Sequence, residues 1–142
     1  MQMMQPCPTP FNQAQYVLQS GKAHPDKIAL SVIGQSGSER WSYARLRSAV
    51  VCMARALSEY GLYPGDRLLM RHGNKEDLPI DYLGAIWAGI LPCPTSAMLT
   101  KAEVTKLAER LRPKAIVHSA GVSLPTGDWR MLDVAGLRAS TQ

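Results

Sequence analysis

The sequence predicts an α/β fold built on a partial doubly wound, mostly parallel sheet. Between Arg67 and His118 the pattern runs strand, helix, strand, helix, strand, and this alternation is typical of the α/β class. The three predicted strands are short apolar runs, as expected of strands that are buried on both faces. Each connection is long enough for a helical crossover, so we expect parallel strands and right-handed crossovers.

The length and composition fit a single domain. The chain has 142 residues, of which 46% are hydrophobic and 19% are charged, and this composition excludes collagen, coiled coils and intrinsically disordered proteins. We expect a domain over residues 11–136, between a disordered tail over residues 1–10 and a frayed C-terminus over residues 137–142.

The charge and cysteine patterns exclude several classes of partner. Lys and Arg number 16 against 11 Asp and Glu, but the basic residues are scattered and only one Phe accompanies them, so we expect no nucleic-acid partner. Cys7, Cys52 and Cys93 are far apart and form no C-x-x-C motif, which is typical of a reducing compartment. Because the sequence shows neither an export signal nor a long apolar stretch, we expect a cytoplasmic protein without membrane contact.

The first predicted element is a short amphipathic helix. Asn12 and Gln15 form an Asn-x-x-Gln helix start, and Gly21 ends the helix. The apolar residues of this segment predict one buried stripe, formed by Ala14, Val17 and Leu18.

A hairpin and a long helix follow. Ile28–Ile33 is predicted to be a strand that returns through a turn at Gly34–Gly37 and a second strand at Arg40–Ser42. Ser42 can cap the next helix, which ends at Gly61. The apolar residues of this helix recur at helical spacing: Leu46, Val50, Met53 and Leu57.

The first buried strand and its crossover helix come next. Pro64–Asp66 is a tight turn, and the apolar run in Arg67–Arg71 predicts the strand. The helix is predicted over Glu76–Ala88, where acidic residues favour its first turn. Pro79 is tolerated because it falls in that turn, and Gly89 ends the helix.

The second strand and crossover repeat this order. Ile90–Cys93 is predicted to be the strand, and Pro94–Ser96 a loop. Thr100 and Glu103 form a capping box that starts a helix ending near Leu111.

The third buried strand is predicted at Ala115–His118, after a break at Arg112–Lys114. Beyond Ser119 the sequence is rich in turn residues, and Trp129–Leu132 is the remaining candidate strand. The crossover rules place these strands in one sheet with helices packed against it.

Glycine-rich segments are the first place to look for a phosphate site. Gly84–Gly89 has the G-x-x-x-x-G spacing, but Ile90 and Leu91 stand where a phosphate loop needs Lys and Ser or Thr. The segment also ends a helix, so close packing is the favoured interpretation. Gly34–Gly37 lies between two predicted strands and is interpreted as a turn, not as a nucleophile elbow.

The histidines and cysteines offer two weak candidates. His24, His72 and His118 are far apart and form no local metal-binding pair. His118 ends a predicted strand, where open α/β sheets place ligands. Cys93 and His118 could form a thiolate pair at the ends of neighbouring strands, although a small buried cysteine is the favoured interpretation of Cys93.

Two charged clusters are explained without catalysis. Glu76, Asp77 and Asp81 could share acid-base work, but helix capping and solvation explain them better. The basic cluster is interpreted as an exposed face: Lys101, Lys106, Arg110, Arg112 and Lys114. Residue types and spacing therefore indicate a soluble α/β domain without a complete active site.

Three segments at a characteristic separation resemble a known superfamily. Trp41-Ser-Tyr-Ala-Arg-Leu46 resembles the first core motif of the AMP-forming adenylating enzymes, which comprise acyl-CoA synthetases, luciferases and peptide-synthetase adenylation domains. Gly84–Pro94 resembles the second core motif, and Gly61–Arg67 resembles the turn between them. The similarity extends over 11–118 and departs at Arg45, where the family pattern most often has glutamate.

The resemblance implies both a fold and a reaction. The fold is that of the N-terminal subdomain of these enzymes, and Pro94–Thr100 is more similar to acyl- or aryl-CoA synthetases, including benzoate-type ligases. In that family ATP and a carboxylic acid form an acyl-adenylate and pyrophosphate, and the CoA thiol then displaces AMP. ATP, Mg²⁺ and CoA are therefore the implied cofactors of the whole enzyme, and a small carboxylic acid is its implied substrate.

The residues that perform this chemistry in the family lie beyond the matched portion. They are a phosphate loop with a lysine, a ribose-binding aspartate, a magnesium-binding glutamate and a lysine on a C-terminal domain. The resemblance thus assigns no catalytic, cofactor-binding or metal-binding residue to this chain. We expect the chain alone to bind none of these cofactors and to be inactive.

The alternative to an enzyme fragment is an independent α/β module that binds a nucleotide or a protein without chemistry. Because a severed sheet exposes edges and apolar surface, we also expect self-association through an exposed sheet edge.

Overall fold

A computed structural model describes residues 9–73 and 75–139 and shows an α/β fold. The helices are α1 (Gln13–Leu18), α2 (Tyr43–Glu59), α3 (Asp77–Trp87), α4 (Lys101–Leu111) and α5 (Val134–Ala139). The strands are β1 (Ile28–Gly34), β2 (Gly37–Ser42), β3 (Arg67–Arg71), β4 (Leu91–Thr95), β5 (Ala115–His118) and β6 (Met131–Asp133). The predicted class is confirmed.

The sheet is parallel and covered by helices on both faces. Its strands lie in the order β4-β3-β5-β6, while β1 and β2 form a separate antiparallel hairpin, as predicted. Leu68 and Met70 of β3 point into the larger core, which α2 and α3 cover. Leu69 points to the other face and packs with Val104 and Ala108 of α4. Alternate residues of one strand therefore serve two cores, which explains the continuous apolar run.

The short helix α1 begins where the sequence predicts but buries fewer residues. Asn12 Oδ1 accepts a hydrogen bond from the Gln15 N–H at 3.1 Å. Ala14 and Leu18, four residues apart, are buried, whereas Val17 is 41% exposed. Since α1 has six residues and passes directly into a 3₁₀ turn, one line of side chains reaches the core. The predicted burial of Val17 is therefore wrong.

The long helix α2 follows its predicted pattern. Its four apolar residues at helical spacing are all buried, and Ser42 Oγ accepts a hydrogen bond from the Arg45 N–H at 3.2 Å. Arg45 stands where the adenylating-enzyme motif usually has glutamate. Its guanidinium lies 3.7 Å from the centre of the Trp41 ring and 3.1 Å from a Glu39 carboxylate oxygen. Packing and charge pairing on the hairpin thus occupy this side chain.

The edge strand β4 runs further than predicted. Ile90–Cys93 was expected to be the strand and 94–96 a loop, but Pro94 pairs with Met70 and Thr95 pairs with Arg71. The prediction of a loop is therefore wrong for these two residues.

The position of the prolines explains why β4 continues. The Leu91 N–H donates to the carbonyl oxygen of Asp66 at 2.8 Å, so the alternating ladder directs residues 91, 93 and 95 toward β3. Pro92 and Pro94 then present their ring nitrogens to the free edge, where no donor is required. Proline is tolerated in an edge strand for this reason.

The C-terminal region is more ordered than predicted. Strand β6 lies one or two residues beyond the predicted Trp129–Leu132. Helix α5 includes residues 137–139, and Leu137 is buried in the larger core, so the expectation of a frayed end is wrong for these residues. Residues 1–8 of the expected tail and residues 140–142 lie outside the described residues.

Candidate functional site

The carboxyl ends of the parallel strands meet at one edge of the sheet. Open α/β sheets bind ligands at this edge, because the strand ends and the loops that follow form a crevice there. Arg71 ends β3, Thr95 ends β4 and His118 ends β5. His72 and Ser119 follow directly. We therefore take this edge as the candidate functional site.

Arg71 is a fully buried cation at the centre of the edge. Its Nε donates to the Ser123 carbonyl at 3.0 Å, and its Nη1 donates to Thr95 Oγ1 at 3.1 Å and to the Ser96 carbonyl. Its Nη2 donates to the Leu99 carbonyl at 3.4 Å. Burial lowers the pKa of Arg71 from its ordinary value, yet a guanidinium remains charged at neutral pH. Arg71 thus binds two loops together, and the protein itself uses four of its five N–H donors.

Next to Arg71, three polar side chains from distant parts of the sequence meet. His72 Nε2 lies 3.2 Å from Asp81 Oδ2, and the two side chains are 0% and 1% exposed. His72 Nδ1 lies 3.4 Å from Ser119 Oγ, which also accepts a hydrogen bond from the Gly73 N–H at 3.2 Å. This cluster joins helix α3 to the ends of strands β3 and β5.

A surface depression of about 500 Å³ opens beside the cluster. Gly73, Lys75 and Ser119 form part of its wall. Three acidic residues also line it: Glu76, Asp77 and Asp133. A site with this mixed charge lacks the positive field that a triphosphate requires.

The glycines of the G-x-x-x-x-G segment have packing roles, as the sequence analysis favoured. A Cβ on Gly84 would lie 2.7 Å from Met53 Cγ, so this glycine lets α3 approach α2 closely. Gly89 has φ +76° and ends α3 against Pro64. Neither glycine offers backbone N–H groups at the start of a helix, and the segment does not fit a nucleotide phosphate.

The proposed pair of Cys93 and His118 does not form. Cys93 pairs with Leu69 and His118 pairs with Arg71, so strand β3 lies between them. Two strand spacings across the sheet and two residues along it separate their backbones by about 12 Å. The expectation that they lie on neighbouring strands is wrong, because the second crossover carries β5 to the far side of β3. Burial raises the pKa of the Cys93 thiol, and Arg67 offsets this in part. Cys93 is therefore a thiol at neutral pH.

The acidic cluster divides into different roles. Asp81 is buried against His72, so its predicted solvation is wrong. Glu76 precedes α3, but its side chain makes no capping hydrogen bond. His24 is exposed. The residues of the basic cluster are exposed on α4 and its exit, as predicted: Lys101, Lys106, Arg110, Arg112 and Lys114.

Sequence reasoning missed the buried polar residues of this edge. Arg71 carried the one available signal, since a charged residue stood inside a strand predicted to be buried on both faces. His72, Asp81 and Ser119 gave none, because they lie 9 to 47 residues apart and meet through tertiary structure. Within residues 9–73 and 75–139, no three His, Cys, Asp or Glu side chains are grouped to hold a metal ion. In the same residues, no helix is long and apolar enough to cross a bilayer.

Comparison with known families gives one clear match. The sequence model of the AMP-binding enzyme family matches residues 17–138. Surfactin synthase subunit 1 of Bacillus subtilis is 26% identical over 131 residues, which are 90% of this chain and 4% of that protein. Luciferin 4-monooxygenase of Nipponoluciola cruciata is 29% identical over 61% of this chain and 14% of its own length. The chain thus spans a small part of these relatives.

Solved structures agree with the family match. A benzoate CoA ligase from Burkholderia xenovorans has a TM-score of 0.69 and 28% identity over 78% of this chain and 22% of its own. The N-terminal subdomain of Klebsiella oxytoca NpsA, in complex with 3-hydroxybenzoyl-AMSN, has a TM-score of 0.82 at 18% identity and covers 92% of this chain and 32% of its own. The chain therefore belongs to the AMP-binding enzyme family, and its fold is that of the N-terminal subdomain of adenylate-forming enzymes.

Proposed function

We propose that the chain is the N-terminal part of an acid–CoA ligase, which converts ATP, a small carboxylic acid and CoA into acyl-CoA, AMP and pyrophosphate. The observation that carries the proposal is the 28% identity to a benzoate CoA ligase over 78% of the chain. The similarity of the Pro94–Thr100 segment to acyl- and aryl-CoA synthetases favours CoA as the acceptor of the acyl group. The cytoplasmic location expected from the cysteines remains part of this proposal.

The contribution of this chain to such an enzyme is a scaffold. Its sheet carries helices on both faces, and Arg71 locks the loops after β4 and β5 at the ligand-binding edge. The glycine segment and the depression at the sheet edge do not fit ATP or Mg²⁺. The glycines are occupied by packing, and the depression at the edge carries mixed charge.

We expect the 142-residue chain alone to show no carboxylate-dependent ATP–pyrophosphate exchange. Charge that develops on the phosphates needs preorganised donors, and the loss of a single donor costs about 100-fold or more in rate. Exchange above the blank by the purified chain, with a dependence on added acid, would contradict the scaffold role. The control is an assay without acid.

The reading frame beyond Gln142 tests the proposed enzyme directly. We expect it to continue into a loop rich in Ser, Thr and Gly that ends in lysine. The protein encoded by the whole reading frame should then catalyse acid-dependent ATP–pyrophosphate exchange. It should also form a CoA thioester with one or more members of a panel of aryl and alkyl acids. Transfer of the acyl group to a carrier protein, and not to CoA, would contradict CoA as the acceptor. A stop codon after Gln142 in a protein made at this length would favour the independent binding module.

We also propose that the chain alone self-associates. The prolines of β4 remove donors from that edge, so we assign the contact to exposed apolar side chains such as Leu91 and Met98, which are 52% and 89% exposed. Light scattering should give a mass that rises with concentration. A monomer mass at all concentrations would contradict the proposal, and L91K should weaken association more than V17K does.

A further inference from the structure

Three polar side chains form a continuous chain of contacts at the end of β3, and the scaffold role gives this cluster no function. It runs from the buried Asp81 carboxylate through the buried His72 ring to the half-buried hydroxyl of Ser119. The two contacts are 3.2 Å and 3.4 Å long. The first joins a ring nitrogen to a carboxylate oxygen and does not have the geometry of a hydrogen bond. Serine, histidine and aspartate in this order are the groups that activate a hydroxyl.

The neighbours of His72 fix the position of its proton. We assign the proton to Nε2, because the Asp81 carboxylate lies on that side of the ring. Nδ1 then carries a lone pair and faces Ser119 Oγ as an acceptor. The Gly73 N–H occupies one acceptor position of the same oxygen, which leaves the hydroxyl hydrogen to point toward His72. The serine is thereby oriented as a donor to a base.

Access to the cluster is unequal along its length. Ser119 lines the depression of about 500 Å³, together with Gly73, Lys75 and Ala120. The side chain of His72 is fully buried beneath that surface. A small acyl donor can therefore reach the serine, whereas water in the depression cannot reach the histidine.

We propose that Ser119 is a nucleophile that accepts an acyl group from an activated acyl donor, with His72 as its general base and Asp81 as the positioning residue for His72. Ser119 Oγ forms a bond to the carbonyl carbon, and the hydroxyl proton passes to His72 Nδ1. The bond from that carbon to the leaving oxygen breaks, and the leaving group departs with the electron pair as an oxyanion, such as a phenolate. Because the buried His72 cannot activate a water molecule, the acyl-serine persists. The site is a single-turnover acyl acceptor, and it does not depend on the proposed ligase function.

The test uses the whole chain and p-nitrophenyl acetate as the donor. We expect a burst of p-nitrophenolate that approaches one equivalent, without steady-state turnover, and an acetyl group mapped to Ser119 by peptide mass spectrometry. General-base assistance should make Ser119 about 100-fold faster than any exposed serine of the same chain. The other serines are an internal control that needs no variant. Acetylation of Ser119 no faster than at these serines would overturn the proposal.

Variants separate the roles within the cluster. S119A should abolish the burst, and S38A, at an exposed position of the hairpin, should leave it unchanged. H72Q should slow acetylation of Ser119 by about 100-fold while circular dichroism shows a folded chain. An unchanged rate in folded H72Q would assign the reactivity to exposure alone and overturn the role of the base. If H72Q does not fold, the proposal is tested by comparing the acetylation rate of Ser119 with the rates of the exposed serines in the unmodified chain.

Discussion

Two buried regions of the molecule differ in the chemistry of their side chains. The interface between α2 and α3 is apolar, whereas the carboxyl edge of the sheet contains buried polar residues. At the interface, Gly84 lies against Met53, and apolar side chains at helical spacing fill the space around them. At the edge, Arg71, His72 and Asp81 are buried with their polar groups intact. Close packing of apolar side chains stabilises the first region, and contacts between buried polar groups stabilise the second.

The difference teaches where this fold is sensitive. An apolar contact loses free energy in proportion to the volume that is misplaced, whereas a buried polar group that loses its partner incurs its full desolvation cost. The edge should therefore tolerate a single change less well than the interface does.

The largest effect is expected for R71M. R71M removes four half-buried hydrogen bonds, three of them to the carbonyls of Ser96, Leu99 and Ser123. At about 1 kcal/mol for each bond, we expect the free energy of unfolding to fall by about 4 kcal/mol. Urea unfolding followed by circular dichroism measures this change. R110M, on the exposed face of α4, is the control and should change stability by less than about 0.5 kcal/mol. Equal losses in the two variants would contradict the role of the Arg71 hydrogen bonds.

A smaller loss is expected from G84A. The new methyl group would lie 2.7 Å from Met53 Cγ and 3.3 Å from the Val50 carbonyl, so we expect a loss of about 2 kcal/mol from overpacking. G136A is the matched control, since Gly136 also lies in a helix but has no atom within 4 Å of the added carbon. It should gain about 0.5 kcal/mol from helix propensity. A gain in both variants would mean that Met53 moves aside freely.

The smallest effect belongs to the exposed cap of α4 and depends on pH. Hydrogen bonds from the N–H and hydroxyl of Thr100 lower the pKa of Glu103 from its ordinary value of 4.5. The carboxylate therefore stabilises the fold above that ordinary value, and this contribution is lost as the pH falls through the lowered pKa. The melting temperature of the unmodified chain should exceed that of E103Q at neutral pH, and the gap should narrow in acid. A gap that stays constant with pH would refute this origin.

The comparison also explains what the sequence could predict. The cap at Thr100 and Glu103 and the buried residues of α2 depend on neighbours within a few positions, so local patterns predicted them correctly. The edge depends on strand order. Consecutive strands are usual neighbours, but here β5 crosses to the far side of β3, which separates Cys93 from His118 and brings Ser119 to His72. No local spacing contains that information.

Other departures have equally specific causes. Pro94 was predicted to break a strand because the sequence does not reveal that it lies on an edge. Leu137 was assigned to a frayed end because the contact that buries it lies in the core of the same domain, far away in sequence. In both cases tertiary position overrides a sound local rule.

The prolines of β4 have a consequence for how this sheet can be extended. A strand that approached β4 along its outer side would find carbonyls but no amide hydrogens on the two prolines, and could complete only half of a regular ladder. A segment that packs against the outer edge of β4 must therefore bind mainly through side-chain contacts, because the backbone of β4 offers few hydrogen bonds there. The backbone of β4 therefore disfavours growth of the sheet on this side.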